Sequence, residues 1–200
     1  MLLQHLQYPH LPPGGFTSEH LSYEPLIHLL NSIICTTNNC LLQVHGHYLG
    51  SLQFYSYGPE VANSCGSVKP LKPDGVGLLA GLSPGGRVSW EHVEVIIEVK
   101  NDIKALIKQA ATYARCPLLS NRRRFFSIAI GFNHKTLNAC FLIFHSGLSS
   151  SYPLSLKTRQ GFEDFVKHMV GPLSIRGEAD YHLDLTLSKT RNQFYLNVER

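Results

Sequence analysis

The chain has 200 residues, of which 44% are hydrophobic and 16% are charged, and it carries a formal net charge of +4. This length fits one domain with a short appendage, and the hydrophobic fraction is sufficient to fill a core. The mild positive charge permits a nucleic-acid partner without requiring one. No apolar stretch approaches the length of a membrane-spanning helix, so we expect no membrane association.

Five cysteines occur, at positions 35, 40, 65, 116 and 140, and none forms a C-x-x-C spacing. An odd number without paired spacing predicts reduced thiols, and therefore an intracellular protein of the nucleus or cytoplasm. Residues 1–15 lack the cationic start and the long apolar run of a signal peptide, which agrees with that prediction.

Residues 1–17 are rich in Pro, Gly and His and predict an N-terminal arm. Pro25 is typical of the first turn of a helix. Apolar residues follow it at helical spacing: Leu26, Leu29, Leu30 and Ile33. Glu19 and Glu24 lie near the start of this helix and have two interpretations. They complement the helix dipole, which we favour, or they add a carboxylate to a site formed further along the chain.

Residues 40–57 predict one or two strands, and residues 58–71 predict a loop. Two apolar runs follow, at 75–80 and 93–99, and a turn rich in Gly, Pro and Ser separates them. This pattern predicts an antiparallel hairpin at the centre of the fold.

The ends of this hairpin carry the charged residues of interest. Asp74 heads the first strand and would meet Glu98 at the end of the second, because antiparallel strands pair start to end. Glu98 and Lys100 are two apart in a strand and share a face. Two carboxylates and an ammonium at one end of a sheet suit an oxygen-preferring divalent ion with a cation beside it.

A helix is predicted after Lys100, with Asn101 as its N-cap and Cys116-Pro117 at its end. Gln109 and Tyr113 are four apart on this helix and therefore neighbour each other. Alternating strands at 126–132 and 137–145, a helix at 162–169 that stops at Gly171-Pro172, and a terminal hairpin complete the chain.

This order of elements predicts an α/β or α+β fold, with helices flanking a central mixed sheet. The predicted division of the chain is an N-terminal arm at 1–17, one domain at 18–172 and a C-terminal β-hairpin extension at 173–200.

The order Pro73-Asp74, then Glu98-x-Lys100, then a helix with Gln109-x-x-x-Tyr113, resembles the PD-(D/E)XK nuclease superfamily. The Gln-x-x-x-Tyr element resembles its RecB-like branch. The resemblance covers about Glu19 to Val170 and implies a restriction-endonuclease-like core.

A closer resemblance is to the nuclease-like region that precedes the catalytic lobe in fungal-type protein kinases. Five short elements carry it: Lys72-Pro73-Asp74, Trp90, Glu98-Val99-Lys100, Tyr113-Ala114-Arg115 and Arg123-Arg124-Phe125. The chain departs from that pattern at His145, where the region has an aspartate. It has no V-A-I-K, H-R-D or D-F-G element, so it is not itself a kinase.

The resemblance implies a role for each matching residue. Asp74 and Glu98 would ligate Mg²⁺ or Mn²⁺ together with the main-chain carbonyl of Val99, and Glu24 is a candidate for the acidic residue of the leading helix. Lys100 would hold the attacking water or the developing negative charge. Five residues would position the site or the nucleic acid: Gln109, Tyr113, Arg122, Arg123 and Arg124.

Two classes of function remain open. One is a Mg²⁺-dependent nuclease that hydrolyses phosphodiester bonds of nucleic acid, with DNA favoured over RNA. The other is a non-catalytic nuclease-like module that binds a protein partner or regulates a kinase domain. Several of these residues also have a structural explanation. Glu98 and Lys100 would be a solvated ion pair at a strand end, Gln109 an ordinary residue on a helix flank, Tyr113 a core aromatic, and residues 122–124 a solvated charge run.

Overall fold

The computed structural model describes residue 4 and residues 6–45, 52–58, 71–79, 82, 88–121, 124–174, 187–190 and 193–196. For residues 41, 43–45, 171–174, 187–190 and 193–196 it describes the main chain only.

Seven of the described strands form one mixed, open sheet. They are β1 (Leu52–Ser56), β2 (Gly75–Leu79), β3 (Val93–Lys100), β4 (Ser127–Asn133), β5 (Asn138–Phe144), β6 (Leu148–Ser150) and β7 (Leu154–Ser155). The strand order is β1-β2-β3-β4-β5-β6, and β7 also pairs with β5. The β3–β4 pair is parallel, whereas the other described pairs of this sheet are antiparallel. Two further strands, β8 (Leu187–Thr190) and β9 (Gln193–Leu196), form a separate antiparallel pair where a terminal hairpin was predicted.

Three long helices lie in the described part of the chain: α1 (His20–His45), α2 (Ile103–Ser120) and α3 (Arg159–Ser174). On one face of the sheet, α1 and α3 pack over Val95, Ile97 and Val99 of β3. On the other face, α2 packs over Ile96 of β3 and the neighbouring strands. The predicted α+β fold with a central mixed sheet is therefore confirmed.

The central hairpin is antiparallel, as predicted. β2 and β3 pair antiparallel with Gly75 opposite Ile97, which places Asp74 beside Glu98 at one end of the sheet. Most of the connecting turn predicted at 82–87 lies outside the described residues. Helix α2 then links β3 to the parallel strand β4, whose register sets Glu98 opposite Gly131.

Gly131 explains how α2 approaches the sheet so closely beside Glu98. A Cβ at this position would collide with the Leu106 side chain of α2 and would lie 2.9 Å from the Cys140 sulfur. The missing side chain lets Leu106 pack directly on β4. Glu98, on the adjacent strand, is consequently covered and has no exposed surface.

The first helix differs from its prediction at both ends. Helix α1 begins at His20, so Pro25 lies inside it and not in its first turn. Pro25 has no amide hydrogen to donate to the carbonyl of Leu21, four residues earlier. Leu21 is exposed, so water can donate to that carbonyl instead. The helix also continues to His45, so the strand prediction for 40–45 was wrong. A short apolar run does not distinguish a helix from a strand.

Three smaller differences from the predictions occur later in the chain. Asp102, and not Asn101, caps α2, because its carboxylate accepts from the amide of Ala105 at 2.7 Å. Helix α2 passes through Pro117 to Ser120, and α3 passes through the predicted stop at Gly171-Pro172 to Ser174. Within the described residues, no helix is both long and apolar enough to span a bilayer.

Candidate functional site

The Lys100 ammonium is the centre of a cluster of oxygen atoms at the ends of β2 and β3. Lys100 Nζ lies 2.7 Å from Glu98 Oε1 and donates to the Val99 carbonyl at 2.7 Å. It also lies 3.4 Å from Asp74 Oδ2 and 3.3 Å from Glu19 Oε2. Three carboxylates from three parts of the chain therefore converge on one cation.

Glu98 is the buried member of this cluster. Its side chain has no exposed surface, while that of Lys100 is 17% exposed. The Lys100 ammonium pairs closely with Oε1, whereas Oε2 has no partner among the described residues. Buried carboxylate oxygens normally have partners, so Oε2 retains lone pairs for another cation.

Asp74 is held through both of its carboxylate oxygens. Oδ2 accepts from the main-chain amide of Val99 at 2.8 Å, and Oδ1 accepts from the Tyr23 hydroxyl at 2.7 Å. The Asp74 main-chain carbonyl accepts from the amide of Tyr57 at 3.1 Å, which continues the pairing of β1 with β2.

The charges of the cluster perturb one another strongly. Burial, and then the nearby charge of Asp74, raises the pKa of Glu98 to about 8, although Lys100 offsets part of that effect. Burial opposes the charge of Lys100, but the contact with Glu98 and the other carboxylates outweigh it and raise the pKa of the ammonium. Burial and the hydrogen bond to Asp74 raise the pKa of Tyr23, so its hydroxyl stays protonated and donates.

Gln109 and Tyr113 hold the main chain that leads into the site. Gln109 Nε2 donates to the Tyr113 hydroxyl at 2.7 Å, and that hydroxyl donates to the Lys72 carbonyl at 2.9 Å. Tyr113 is 5% exposed and stacks on Trp90 with ring centroids 6.1 Å apart. These contacts fix the chain just before Asp74, whereas contact with nucleic acid remains a prediction.

Of the two acidic residues near the start of α1, Glu19 reaches the cluster. Glu24 is exposed and makes no hydrogen bond or ion pair with the described residues of the site. Glu19 immediately precedes α1, and its carboxylate contacts Lys100 across 81 positions of sequence. The structure therefore corrects the choice of Glu24 as the acidic residue of the leading helix.

Arg124 has a structural role inside the fold. Its residue is 8% exposed, and its guanidinium donates to the Glu91 carbonyl at 3.1 Å and pairs with Glu94 at 2.9 Å. A phosphate contact by this side chain would require these interactions to break. Arg122 and Arg123 lie outside the described residues, so their contact with nucleic acid stays a prediction. That prediction no longer includes Arg124.

Sequence reasoning missed Tyr23. Its partner Asp74 is 51 positions away, and no local pattern indicates such a contact. The one available signal was its spacing of four from Glu19, which places both side chains on the same flank at the start of a helix.

The donor set fits a divalent cation with a preference for oxygen ligands. Asp74, Glu98 and the Val99 carbonyl are oxygen donors of the kind that Mg²⁺ and Mn²⁺ bind, and Glu98 Oε2 is buried without a partner among the described residues. No group of three or more His, Cys, Asp or Glu side chains in the described ranges is placed to hold a metal ion. The fit therefore depends on two carboxylates and one main-chain carbonyl.

No family, curated protein or solved structure matches this chain in comparisons with known proteins.

Proposed function

We propose that this chain is a Mg²⁺-dependent nuclease-like domain that hydrolyses phosphodiester bonds of nucleic acid. DNA is favoured over RNA, as the motif resemblance implies. The single observation that carries the proposal is the convergence of Asp74, Glu98 and the Val99 carbonyl on one cation, the ammonium of Lys100.

The order of the elements supports the proposed restriction-endonuclease-like core. The two acidic motif residues lie at one end of the β2–β3 hairpin, and the helix that follows carries Gln109 and Tyr113. That helix leads into a parallel strand on the other side of β3. The motifs of the PD-(D/E)XK resemblance therefore share one end of one sheet.

Asp74, Glu98 and the Val99 carbonyl would hold the ion. When bound, Mg²⁺ neutralises the negative charge on the phosphate oxygens and lowers the pKa of a coordinated water. Glu98 contributes a carboxylate shielded from bulk solvent, where electrostatic interactions are stronger than in water. Asp74 contributes a carboxylate whose direction is set by Val99 and Tyr23.

Lys100 has the second chemical role. Its ammonium is part exposed and lies beside the carboxylates, where it can face a phosphate group. A preorganised positive charge at this point stabilises the negative charge that develops on the phosphate in the transition state. Its raised pKa keeps it protonated at neutral pH, so it acts as a charge and not as a general base.

The surface near the site carries cationic side chains that suit a nucleic-acid backbone. Lys104 and Lys108 are exposed on α2, and Lys72 is an exposed residue two positions before Asp74. Lysines that contact phosphates release counterions, which makes the affinity depend on salt concentration.

The test is a Mg²⁺ titration with a supercoiled plasmid and a matched single-stranded RNA as substrates. We expect cleavage that requires the divalent ion, that chelation abolishes and that is faster on DNA. Glu98→Ala should remove it, whereas Glu163→Ala on α3 is a control that should retain it. Failure of the wild-type chain to cleave either substrate at any Mg²⁺ or Mn²⁺ concentration would overturn the catalytic proposal.

One observation favours the alternative of a non-catalytic nuclease-like module that binds a protein partner or a kinase domain. Lys100 already contacts all three carboxylates from within the chain, so a cation occupies the centre of the cluster without a metal. Under this alternative the chain binds Mn²⁺ negligibly and its nucleic-acid binding is absent at low salt. Both measurements separate it from the nuclease.

A further inference from the structure

The Tyr23 hydroxyl joins α1 to the site through one oxygen of Asp74. Tyr23 Oη donates to Asp74 Oδ1 at 2.7 Å, while Oδ2 accepts from the Val99 amide at 2.8 Å. Oδ2 is also the oxygen that lies 3.4 Å from Lys100 Nζ. The two oxygens of one carboxylate are therefore held by two different elements, α1 and β3.

An aspartate at this position needs such support. The terminal torsion of its side chain is broad and roughly two-fold, so a hydrogen bond to one oxygen alone leaves the carboxylate free to rock. The hydroxyl at Oδ1 removes that freedom and keeps Oδ2 directed towards Val99 and Lys100. The Asp74 side chain is only 14% exposed, which limits the water that could replace the hydroxyl.

Tyr23 is itself held in place from several sides. Its ring packs against the core under α1 and meets the His20 ring edge to face, with centroids 5.1 Å apart. Just before α1, the Phe16 amide donates to the His134 carbonyl at 2.8 Å, and His134 Nδ1 lies 3.1 Å from the Phe16 carbonyl. These contacts fix the chain that leads into the helix, so the hydroxyl has a defined direction.

We propose that Tyr23 is a positioning residue that orients the Asp74 carboxylate for the divalent cation. This role rests on the proposed function, because it requires the cation to bind at Asp74. Tyr23 acts through Asp74 and is not assigned a contact with the ion or the substrate. Partners of this kind typically change metal affinity by about 10- to 100-fold when they are removed.

The test is Mn²⁺ binding by calorimetry to wild type, Tyr23→Phe and Tyr8→Phe. Phenylalanine keeps the ring and removes only the hydroxyl. Tyr8 is a matched control, because its hydroxyl also donates to a distant oxygen, the Leu156 carbonyl at 2.9 Å, but lies on the arm away from the site. We expect Tyr23→Phe to weaken Mn²⁺ binding about tenfold and Tyr8→Phe to leave it within about twofold of wild type.

The outcomes separate the two proposals. Equal Mn²⁺ affinity of Tyr23→Phe and wild type overturns the positioning role and leaves the proposed function intact. Absence of Mn²⁺ binding by wild type overturns both. An equal loss in Tyr23→Phe and Tyr8→Phe shows a general structural effect and also overturns the positioning role.

A second measurement does not need the metal. Urea midpoints are compared for wild type, Tyr23→Phe, Asp74→Ala and the double variant, all in chelator. If the hydroxyl acts through Asp74, removing it in the Asp74→Ala background should shift the midpoint less than in wild type. Equal shifts in the two backgrounds show that Tyr23 and Asp74 are independent, which contradicts the proposal.

Discussion

The hydroxyl of Tyr113 donates to the main-chain carbonyl of Lys72 at 2.9 Å, so α2 holds the chain two residues before Asp74. Gln109 donates to the same hydroxyl at 2.7 Å and fixes its direction. The two polar residues of the Gln-x-x-x-Tyr element are thus connected to the cluster through the backbone that positions its first carboxylate.

This connection predicts the effect of Tyr113→Phe. The variant removes the hydroxyl from a part-buried hydrogen bond to the Lys72 carbonyl and should lose about 1 kcal/mol of unfolding free energy. Because Asp74 is less well fixed, Mn²⁺ affinity should also fall several-fold. Tyr8→Phe should lose comparable stability and keep its Mn²⁺ affinity. Urea unfolding and calorimetry check both values, and an unchanged affinity in Tyr113→Phe would show that this contact does not act on the site.

Lys100→Met should affect the cluster in two opposite ways. Removing the ammonium raises the pKa of Glu98 further, and ionising the unpaired carboxylate at high pH should destabilise the metal-free fold by about 3–5 kcal/mol. The Glu98 oxygen and the Val99 carbonyl are also released from the ammonium, so Mn²⁺ should bind more tightly than in wild type.

The rate of plasmid cleavage by Lys100→Met should fall at least a hundredfold, because the ammonium that stabilises the transition state is absent. Lys157→Met, at an exposed position, is the control. Unfolding in chelator, calorimetry and plasmid cleavage measure the three effects. Cleavage at the wild-type rate would show that Lys100 has no catalytic role.

Glu98 predicts a dependence of stability on pH. Its pKa is about 8 in the folded chain against an ordinary value of 4.5, so between these values the folded state binds the proton more strongly than the unfolded state. Stability should therefore fall as the pH rises through this window. The pKa of Lys100 is raised above its ordinary value of 10.5, so its contribution stays constant there.

Glu98→Gln removes the titrating group, so its stability should change less across this window than that of wild type. The exposed Glu91→Gln is the control and should follow wild type. Urea unfolding in chelator at about pH 5, 7 and 9 gives the comparison. Parallel profiles for wild type and Glu98→Gln would contradict the raised pKa.

Arg124→Ala should destabilise the fold strongly. The guanidinium, whose side chain is 3% exposed, joins the start of β3 to the chain before β4 through Glu91 and Glu94. Its removal breaks an ion pair with a largely buried carboxylate, at a cost of about 3–5 kcal/mol. Arg159→Ala removes the same charge from a side chain that is 60% exposed and should cost at most about 0.5 kcal/mol. Similar urea midpoints for the two variants would show that Arg124 is not a structural residue.

The sequence predicted the central hairpin and the meeting of Asp74, Glu98 and Lys100 because these depend on local rules. Alternation of apolar residues identifies a strand, and an antiparallel turn brings the start of one strand to the end of the next. The pairing of Gly75 with Ile97 agrees with the second rule, whereas neither rule specifies the register shift between Gly77 and Leu78. The fold class followed in the same way from the order of the elements.

The contacts of Tyr23 and Arg124 could not be predicted, and the sequence did not decide between the two interpretations of Glu19, because these contacts depend on packing between distant segments. Glu19 reaches Lys100 because α1 begins at His20 and lies across the sheet, which the position of Pro25 obscured. The sequence leaves Arg124 open between a phosphate contact and a solvated charge run because its neighbours are also basic, and only the tertiary structure shows Glu94 beside it. Burial of a charged residue is decided by its partners, which local sequence does not specify.

The proposed function requires a divalent cation to bind between Asp74, Glu98 and the Val99 carbonyl. The most direct measurement is an anomalous difference map from crystals of the chain soaked in Mn²⁺, with crystals of Glu98→Gln soaked alongside. We predict one peak in wild type within about 2.3 Å of an oxygen of each of these three residues, and its loss in Glu98→Gln. A wild-type map with no peak at this position, and with Lys100 still bonded to the Val99 carbonyl, would contradict the account.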